Sequence, residues 1–301
     1  MYDIVVIGGG PAGLTAAVYA RRAGKTVLVL EKDGFGGQIT QSPRVENFPG
    51  FVSISGTELA DRLLSQAMEQ GAEVELEEAS ALRMDGADKT VVCASGATFA
   101  ARAVILAAGA KPRQLGLARE AELTGNGVSY CAVCDGAFYR DGVVAVVGGG
   151  SSALQDALLL GETCRKVYLI HRRDSFRGEQ ALVSALKKRG NVELVLNARV
   201  RELLGGDELT GVVVEQSGGT RTLAIEGLFI TVGGQPDLAA FAPLLRLDGA
   251  GYADAAEDCR TPTEGLFVAG DCRAKAVRQL TTAVADGAVA ALAAAEWLDS
   301  L

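Results

Sequence analysis

The run Cys131-Ala132-Val133-Cys134-Asp135-Gly136 concentrates most of the chemistry available to this chain. Two cysteines with two residues between them can close a small disulfide, and that spacing lowers the pKa of the attacking thiol into a reactive range. Asp135 follows directly, a carboxylate placed to move a proton as thiolates form and break. Half of a zinc site is one rival reading. A closed site takes four ligands, however, and the chain has no second Cys-x-x-Cys and no histidine pair, so no metal is expected. A purely structural bridge is another, but so short a loop removes little entropy from the unfolded chain. The pair therefore reads as redox-active.

Two flanking units must position it. Asp3 to Ile7 is a short apolar, β-branched run, which predicts a buried parallel strand. It feeds Gly8-Gly9-Gly10-Pro11-Ala12-Gly13, a G-x-G-x-x-G motif. An apolar helix from Leu14 to Arg22 follows, stopped by Gly24, and a second strand from Thr26 to Leu30 ends at Glu31. Strand, glycine loop, helix, strand and terminal acid make up a dinucleotide-binding fingerprint. The glycines let the backbone approach a pyrophosphate at the helix N-terminus, and Glu31 takes ribose hydroxyls.

The pattern recurs. Gly142 to Val147 is an apolar strand entering Gly148-Gly149-Gly150-Ser151-Ser152-Ala153, a G-x-G-x-x-A motif, with a helix over Leu154–Leu160 and a strand over Lys166–Ile170. Laid on the first unit, Gly8 matches Gly148, Gly13 matches Ala153 and Glu31 matches His171, a repeat at constant offset. Two dinucleotide sites imply two cofactors, the pattern of a flavoprotein fed by a pyridine nucleotide. In place of the acid, the second unit carries His171-Arg172-Arg173 with Arg177 close behind. Clustered guanidiniums suit a 2′-phosphate, so this site reads as NADP(H) rather than as a solvated basic turn. His171 is the sole histidine, so a histidine relay is not expected and the acid–base role falls to Asp135.

The rest of the chain reads as α/β. A helix is expected from about Thr57 to Gln70, with Leu59, Leu63 and Ala67 on one face, and strands near 73–76, 90–94 and 103–106 lead to Ala107-Ala108-Gly109-Ala110. Strands near 192–196, 211–216 and 227–232 precede Gly233-Gly234-Gln235-Pro236-Asp237, a turn and plausible crossover. A strand over Leu266–Ala269 ends in Gly270-Asp271, and Arg278-Gln279-Leu280 opens an Ala-rich helix to about Leu298. An aspartate at a strand end can bind a ribityl hydroxyl, and a helix N-terminus offers partial positive charge to a reduced flavin.

Composition agrees with this reading. At 301 residues, 49% hydrophobic, the chain is long enough for about two domains with real cores. A net charge of −8 and a pI near 4.9 argue against nucleic acid as a partner. No apolar run reaches membrane-spanning length, and the N-terminus lacks the basic region and cleavage site of a signal peptide. Four scattered cysteines beside one pair fit a reducing compartment, so a cytoplasmic location is expected.

Along essentially its whole length the chain resembles the low-molecular-weight, bacterial-type thioredoxin reductases, a group of class-II pyridine nucleotide-disulfide oxidoreductases. The carrying motifs are GGGPAG (8–13), GGQ (36–38), VENFPG (45–50), CAVCDG (131–136), GGGSSA (148–153), HRRDSFR (171–177), GD (270–271) and RQLTTA (278–283). The resemblance implies two Rossmann-like domains. A discontinuous FAD domain over 1–112 and 243–301 would hold an inserted NADPH domain, 113–242, that carries the disulfide.

The FAD contacts so implied are Gly8, Gly10, Pro11, Ala12, Gly13, Glu31, Gly37, Gln38, Asn47, Ala108, Gly109, Gly270, Asp271, Arg278, Gln279 and Leu280. Those to NADPH are Gly148, Gly150, Ser151, Ser152, Ala153, His171, Arg172, Arg173 and Arg177. It further implies that Cys134 lies nearer the flavin, that Cys131 attacks the disulfide of thioredoxin, that Asp135 is the acid, that two domains rotate about a hinge, and that the enzyme is a homodimer. The chain departs from common family residues at Ser151 and at Gln155-Asp156.

Rival functions remain within reach of the same fold. A ferredoxin- or deazaflavin-fed reductase is opposed by the intact HRRDSFR, and a dithiol oxidase would not need the arginines. A ferredoxin–NADP reductase would lack the cysteine pair, and a peroxidase-reducing relative would carry an extra N-terminal region. A non-catalytic redox sensor would not turn over a disulfide substrate.

Overall fold

A computed structural model of the chain describes residues 1–86, 88–216 and 218–301. By internal contacts it separates into two compact units, Met1–Lys111 with Gln235–Leu301, and Pro112–Gly234.

The first unit opens with β1 (Tyr2–Ile7), α1 (Pro11–Arg22) and β2 (Val27–Glu31), then α2 (Gly56–Glu69) and β3 (Glu73–Leu76). Three further strands follow, β4 (Ala79–Asp85), β5 (Asp88–Cys93) and β6 (Thr98–Leu106), and then the short β7 (Ala110–Pro112). The sheet runs β3-β2-β1-β6-β5-β4. Strand β6 is shared along its length. Its early residues pair antiparallel with β5, and its later ones run parallel to the returning strand at Leu266–Val268.

Residues Ile4 to Val6 of β1 are fully buried, which is why the strand reads as a continuous apolar run rather than an alternation. Ile4 and Val6 face a core shared with α1 and the C-terminal helix, while Val5 and Ile7 face a second core. Helix α1 starts three residues earlier than the apolar pattern suggests, because Pro11 takes the first helical position and needs no N–H partner there.

The second unit holds β8 (Val128–Ser129), the single-turn α3 (Ala132–Asp135), β9 (Val143–Gly148), α4 (Ser151–Thr163), β10 (Lys166–Ile170) and α5 (Gln180–Lys187). It continues with β11 (Val192–Val195), β12 (Ala198–Gly205), β13 (Leu209–Gln216), β14 (Gly219–Ala224) and β15 (Gly227–Thr231). A parallel sheet runs β11-β10-β9-β15-β8, and β12-β13-β14 form a separate antiparallel sheet. In both units the first strand of the βαβ repeat has sheet neighbours on both sides, so its exit loop sits at a switch point, where α/β sheets bind ligands.

The chain returns to the first unit through β16 (Gly234–Pro236), which pairs with β7, then β17 (Leu266–Val268) and α6 (Leu280–Asp299). Residues 235–242, assigned by the sequence to the inserted domain, pack with the first unit, where Leu238 and Phe241 are buried in its second core. The crossover thus falls within the Gly233–Asp237 turn rather than at 242/243. Among the described residues, no helix is long and apolar enough to cross a membrane.

Candidate active site

At the exit of β1 the backbone turns through Gly8, whose φ is +111°, and a Cβ there would collide with Ala107 O. A Cβ on Gly13 would collide with Gly8 O, so this helix start packs on its own loop without room for a side chain. Gly10 caps α1 with no side-chain hydrogen bond and has nothing but Gly37 Cα, at 4.0 Å, near its missing Cβ. Space is therefore left beside the N-terminus of α1, where a phosphate can be received. Glu31, at the end of β2, accepts from Gly9 N at 2.7 Å through one oxygen and from Lys32 N and Asp33 N through the other, which fixes it beside the loop.

Distant segments converge on this edge of the first unit. Gly36 N donates to Gly9 O at 2.8 Å, and Gly37 Cα lies against Gly10. Gln38 Nε2 donates to Ala110 O at 2.7 Å, tying the second loop to the Ala108-Gly109 segment beyond β6. Gly270, with φ +78°, brings the end of β17 against Ala12, since a Cβ on it would lie 2.8 Å from Ala12 Cβ. Arg278 lies 3.9 Å over the Tyr252 ring and donates to Asp271 O. Gln279 caps α6 through a reciprocal capping box with Thr282, Leu280 is the first residue of that helix, and Asn47 Nδ2 donates to Gln279 Oε1 at 3.3 Å. Asp271 stands out among them. Its Oδ1 is buried and accepts no hydrogen bond, although Lys275 Nζ approaches to 3.2 Å as an ion pair. Burial pushes this carboxyl above the usual range, with Lys275 opposing.

In the second unit Gly150 caps α4, again without a side-chain hydrogen bond, and has nothing within 4 Å of its missing Cβ. Ser151 Oγ accepts from Glu179 N at 3.2 Å, Ser152 is exposed, and Ala153 is buried beneath the loop. The His171 ring lies under Gly149, stacks on Phe176 at 5.1 Å and bonds Ser175 O through Nε2. Burial lowers its pKa, and Arg173 and Arg172 lower it further, while backbone hydrogen bonds oppose them. Arg177 N donates to Gly149 O at 2.8 Å, which fastens the arginine loop to the glycine loop. Arg172, Arg173 and Arg177 are exposed, and among the described residues none of them is in an ion pair with a carboxylate.

Cys131 and Cys134 are bridged, with Cα atoms 5.3 Å apart. Cys131 is the N-cap of α3, and Cys134 N points at its sulfur at 3.2 Å. Val133 between them is 58% exposed, so the bridge lies at a surface-facing turn. Burial raises the pKa of Asp135, and the hydroxyl of Ser129, 2.6 Å away, opposes the rise by donating to the carboxylate. A carboxyl so placed holds its proton to higher pH than an exposed one.

A family profile described as pyridine nucleotide-disulphide oxidoreductase matches residues 2–287. The chain belongs to this family. Among its pyridine nucleotide-disulphide oxidoreductase relatives, a thioredoxin reductase of Listeria monocytogenes is 42% identical across 100% of this chain and 95% of its own. A bifunctional thioredoxin reductase/thioredoxin of Mycobacterium leprae is 39% identical over 99% of this chain and 66% of that one. The crystal structure of a thioredoxin reductase from Streptococcus pyogenes is similar at a TM-score of 0.95 and 38% identity, covering 100% of this chain and 99% of that one. The family and these relatives imply an oxidoreductase that uses a flavin and a pyridine nucleotide.

Two residues escaped the sequence reading. Ser129 gave no signal beyond standing two residues before Cys131. Asp286, the one buried acid of the Ala-rich α6, gathers Gly270 N, Arg273 and Lys275 around its carboxylate. An acid in an otherwise apolar buried helix is the signal that could have found it.

Proposed function

We propose that this oxidoreductase is an NADPH-dependent, FAD-containing thioredoxin reductase acting through Cys131, Cys134 and Asp135. The observation that carries the reading is the closed Cys131–Cys134 bridge with its buried acid, in the same unit as a dinucleotide loop beside which three exposed arginines stand, none in an ion pair with a carboxylate among the described residues. Ferredoxin-fed and oxidase readings leave that arginine cluster without a purpose.

The residues present fit both cofactors. In the first unit an uncapped helix start, Glu31 and the buried Asp271 carboxylate match a pyrophosphate, a ribose and a polyol hydroxyl in turn. In the second, the open space at Gly150 and the guanidiniums of Arg172, Arg173 and Arg177 match a pyrophosphate and a 2′-phosphate. When bound, the flavin supplies a two-electron relay between a nicotinamide hydride and a disulfide.

The chain's own residues do the rest. Opening the bridge takes two electrons and two protons and leaves both cysteines reduced. Cys131, beside the exposed Val133, attacks the partner disulfide as a thiolate and forms a mixed disulfide, releasing one partner thiolate. Cys134 attacks Cys131 Sγ, which restores the bridge and frees the second partner thiolate. Asp135 supplies a proton to a departing thiolate and is reprotonated from solvent. Buried Cys93, Cys164, Cys259 and Cys272 stay outside this exchange.

The proposal extends to a homodimer, for which exposed Tyr19 of α1 and Val289 and Leu292 of α6 supply apolar surface on the first unit. It also extends to residence in a reducing cytoplasm, where four free thiols persist.

Anaerobic titration with NADPH and then NADH, followed by flavin absorbance, tests the cofactor assignment. Bleaching at far lower NADPH concentration is expected, and no bleaching by either overturns it. Cys134→Ser is expected to abolish thioredoxin reduction and leave bleaching intact. Retained thioredoxin turnover in that variant removes the cysteine pair from the mechanism.

A further inference from the structure

Ser129 lies at the end of the two-residue strand β8, in register with Phe229 of β15, and is only 4% exposed. Its hydroxyl sits between the two ends of the Cys131–Asp135 turn. Cys131 N donates to Ser129 Oγ at 3.0 Å, and Ser129 Oγ lies 2.6 Å from Asp135 Oδ2 and 3.4 Å from Cys131 O. A serine hydroxyl has one proton and two lone pairs. The carboxylate, shorter and charged, takes the proton, and the Cys131 amide uses a lone pair. One buried hydroxyl thus fixes the backbone of the first cysteine and the carboxyl of the acid at once.

We propose that Ser129 is the positioning residue that couples the Cys131 nucleophile to the Asp135 acid, an inference that rests on the disulfide-exchange reading above. Its location on a sheet strand, rather than in the redox turn itself, is what lets it serve. The Cys131–Cys134 bond opens and closes around α3, a helix of four residues, whereas β8 is paired with β15. The serine gives the turn a fixed reference, so the acid keeps its aim through both redox states.

The other ionisable groups near Asp135 are occupied or neutral. The Tyr139 phenol, pushed up to about 12 by burial and then by Asp135, Glu208 and Glu226, stays neutral over the working range. On α4, which packs against α3, Asp156 is held by Thr231 Oγ1 at 2.7 Å and Glu162 pairs with Arg189. Ser129 is therefore the hydrogen-bond donor that opposes burial at Asp135.

The test is stopped-flow reduction of thioredoxin disulfide by pre-reduced holoenzyme across pH 5.5–9, comparing parent, Ser129→Ala, Asp135→Asn and the double variant. Ser129→Ala is expected to slow exchange about 10-fold and to move the Asp135-dependent limb of the profile to higher pH, because burial is then unopposed. In the Asp135→Asn background the same change should add little further loss, since the serine acts through the acid. Equal losses in both backgrounds, or an unmoved limb, overturn the inference and leave Ser129 a packing residue.

Should Ser129→Ala fail to fold, the isosteric pair Ser129→Thr and Ser129→Val differs in little but the hydroxyl. Thr near parent with Val slowed supports the coupling, and two equal rates refute it. The underlying reading fails separately, if Cys134→Ser still turns over thioredoxin or the pre-reduced parent shows no exchange.

Discussion

Removing the Asp286 carboxylate breaks a buried charge cluster in the first unit. Asp286 is 7% exposed on α6. Its Oδ1 accepts from Arg273 Nη2 at 2.9 Å, and its Oδ2 accepts from Lys275 Nζ at 3.0 Å, Gly270 N at 3.1 Å and Arg273 Nε at 3.3 Å. The side chains of Arg273 and Lys275 are themselves only 13% and 9% exposed, so solvent cannot replace the lost partner. In Asp286→Ala, Lys275 keeps Asp271, but Arg273 is left with the carbonyls of Ala255 and Ala256. Stranding buried charge in this way costs about 3–5 kcal/mol. For a chain of this size that lowers the unfolding midpoint by on the order of 10 °C.

Trp297, the sole tryptophan, lies further along α6 against the same core and reports the transition of the first unit by its fluorescence. Arg246→Ala provides the contrast, because its bond to Asp254 joins two well-exposed side chains and is worth less than about 1 kcal/mol. Asp286→Asn, which retains an acceptor oxygen, should fall between them. The same variant should lose flavin on gel filtration, since Gly270 N is one of the donors and Asp271 follows it directly. An Asp286→Ala midpoint no further from the parent than that of Arg246→Ala would refute the reasoning.

Other outcomes follow from single contacts. Neutralising Arg173 and Arg177 to Gln is expected to raise the KM for NADPH roughly 10- to 100-fold, the worth of one or two charge-assisted bonds, and to leave that for NADH nearly unchanged in steady-state assays. Gly13→Ala forces a Cβ into Gly8 O and should cost about 1–3 kcal/mol and most of the bound flavin, read by thermal unfolding and the visible spectrum. Gly150→Ala, with nothing within 4 Å, should fold normally and weaken only pyridine nucleotide binding, read by titration. Asp156 has a folded pKa raised by burial above its usual 3.8, with Thr231 opposing, so its ionisation weakens the fold as pH rises through that raised value. Asp156→Asn should therefore stabilise the protein at neutral pH, with the gain vanishing below about pH 4 in a pH series of urea unfolding curves.

Several features are legible in the sequence because they depend on local residue types. A glycine loop between strand and helix must be glycine where backbone meets backbone, and the collision at Gly13 is written directly in the motif. The repeat at 148–153, the acid-to-histidine exchange at Glu31 and His171, and the Cys-x-x-Cys turn are likewise properties of short windows. Amphipathic elements are harder. Strand β12 sets exposed arginines and a glutamate between buried Ala198, Val200 and Leu203, and α5, with only eight residues, is too short for its helical period to stand out.

What lies beyond the sequence is pairing across distance. The Gly233–Asp237 turn marks a crossover in the sequence, but that residues 235–242 pack with the first unit is decided by Leu238 and Phe241 finding its core. Asp286 is a charge in an apolar helix until Arg273 and Lys275 fold against it, and Ser129 is an ordinary strand residue until α3 brings Asp135 within 2.6 Å. Residue type limits which chemistry a position can do. Only the packed chain decides which donor meets which acceptor, because burial and distance, set by segments far apart in sequence, determine whether a polar group is aimed, neutralised or stranded.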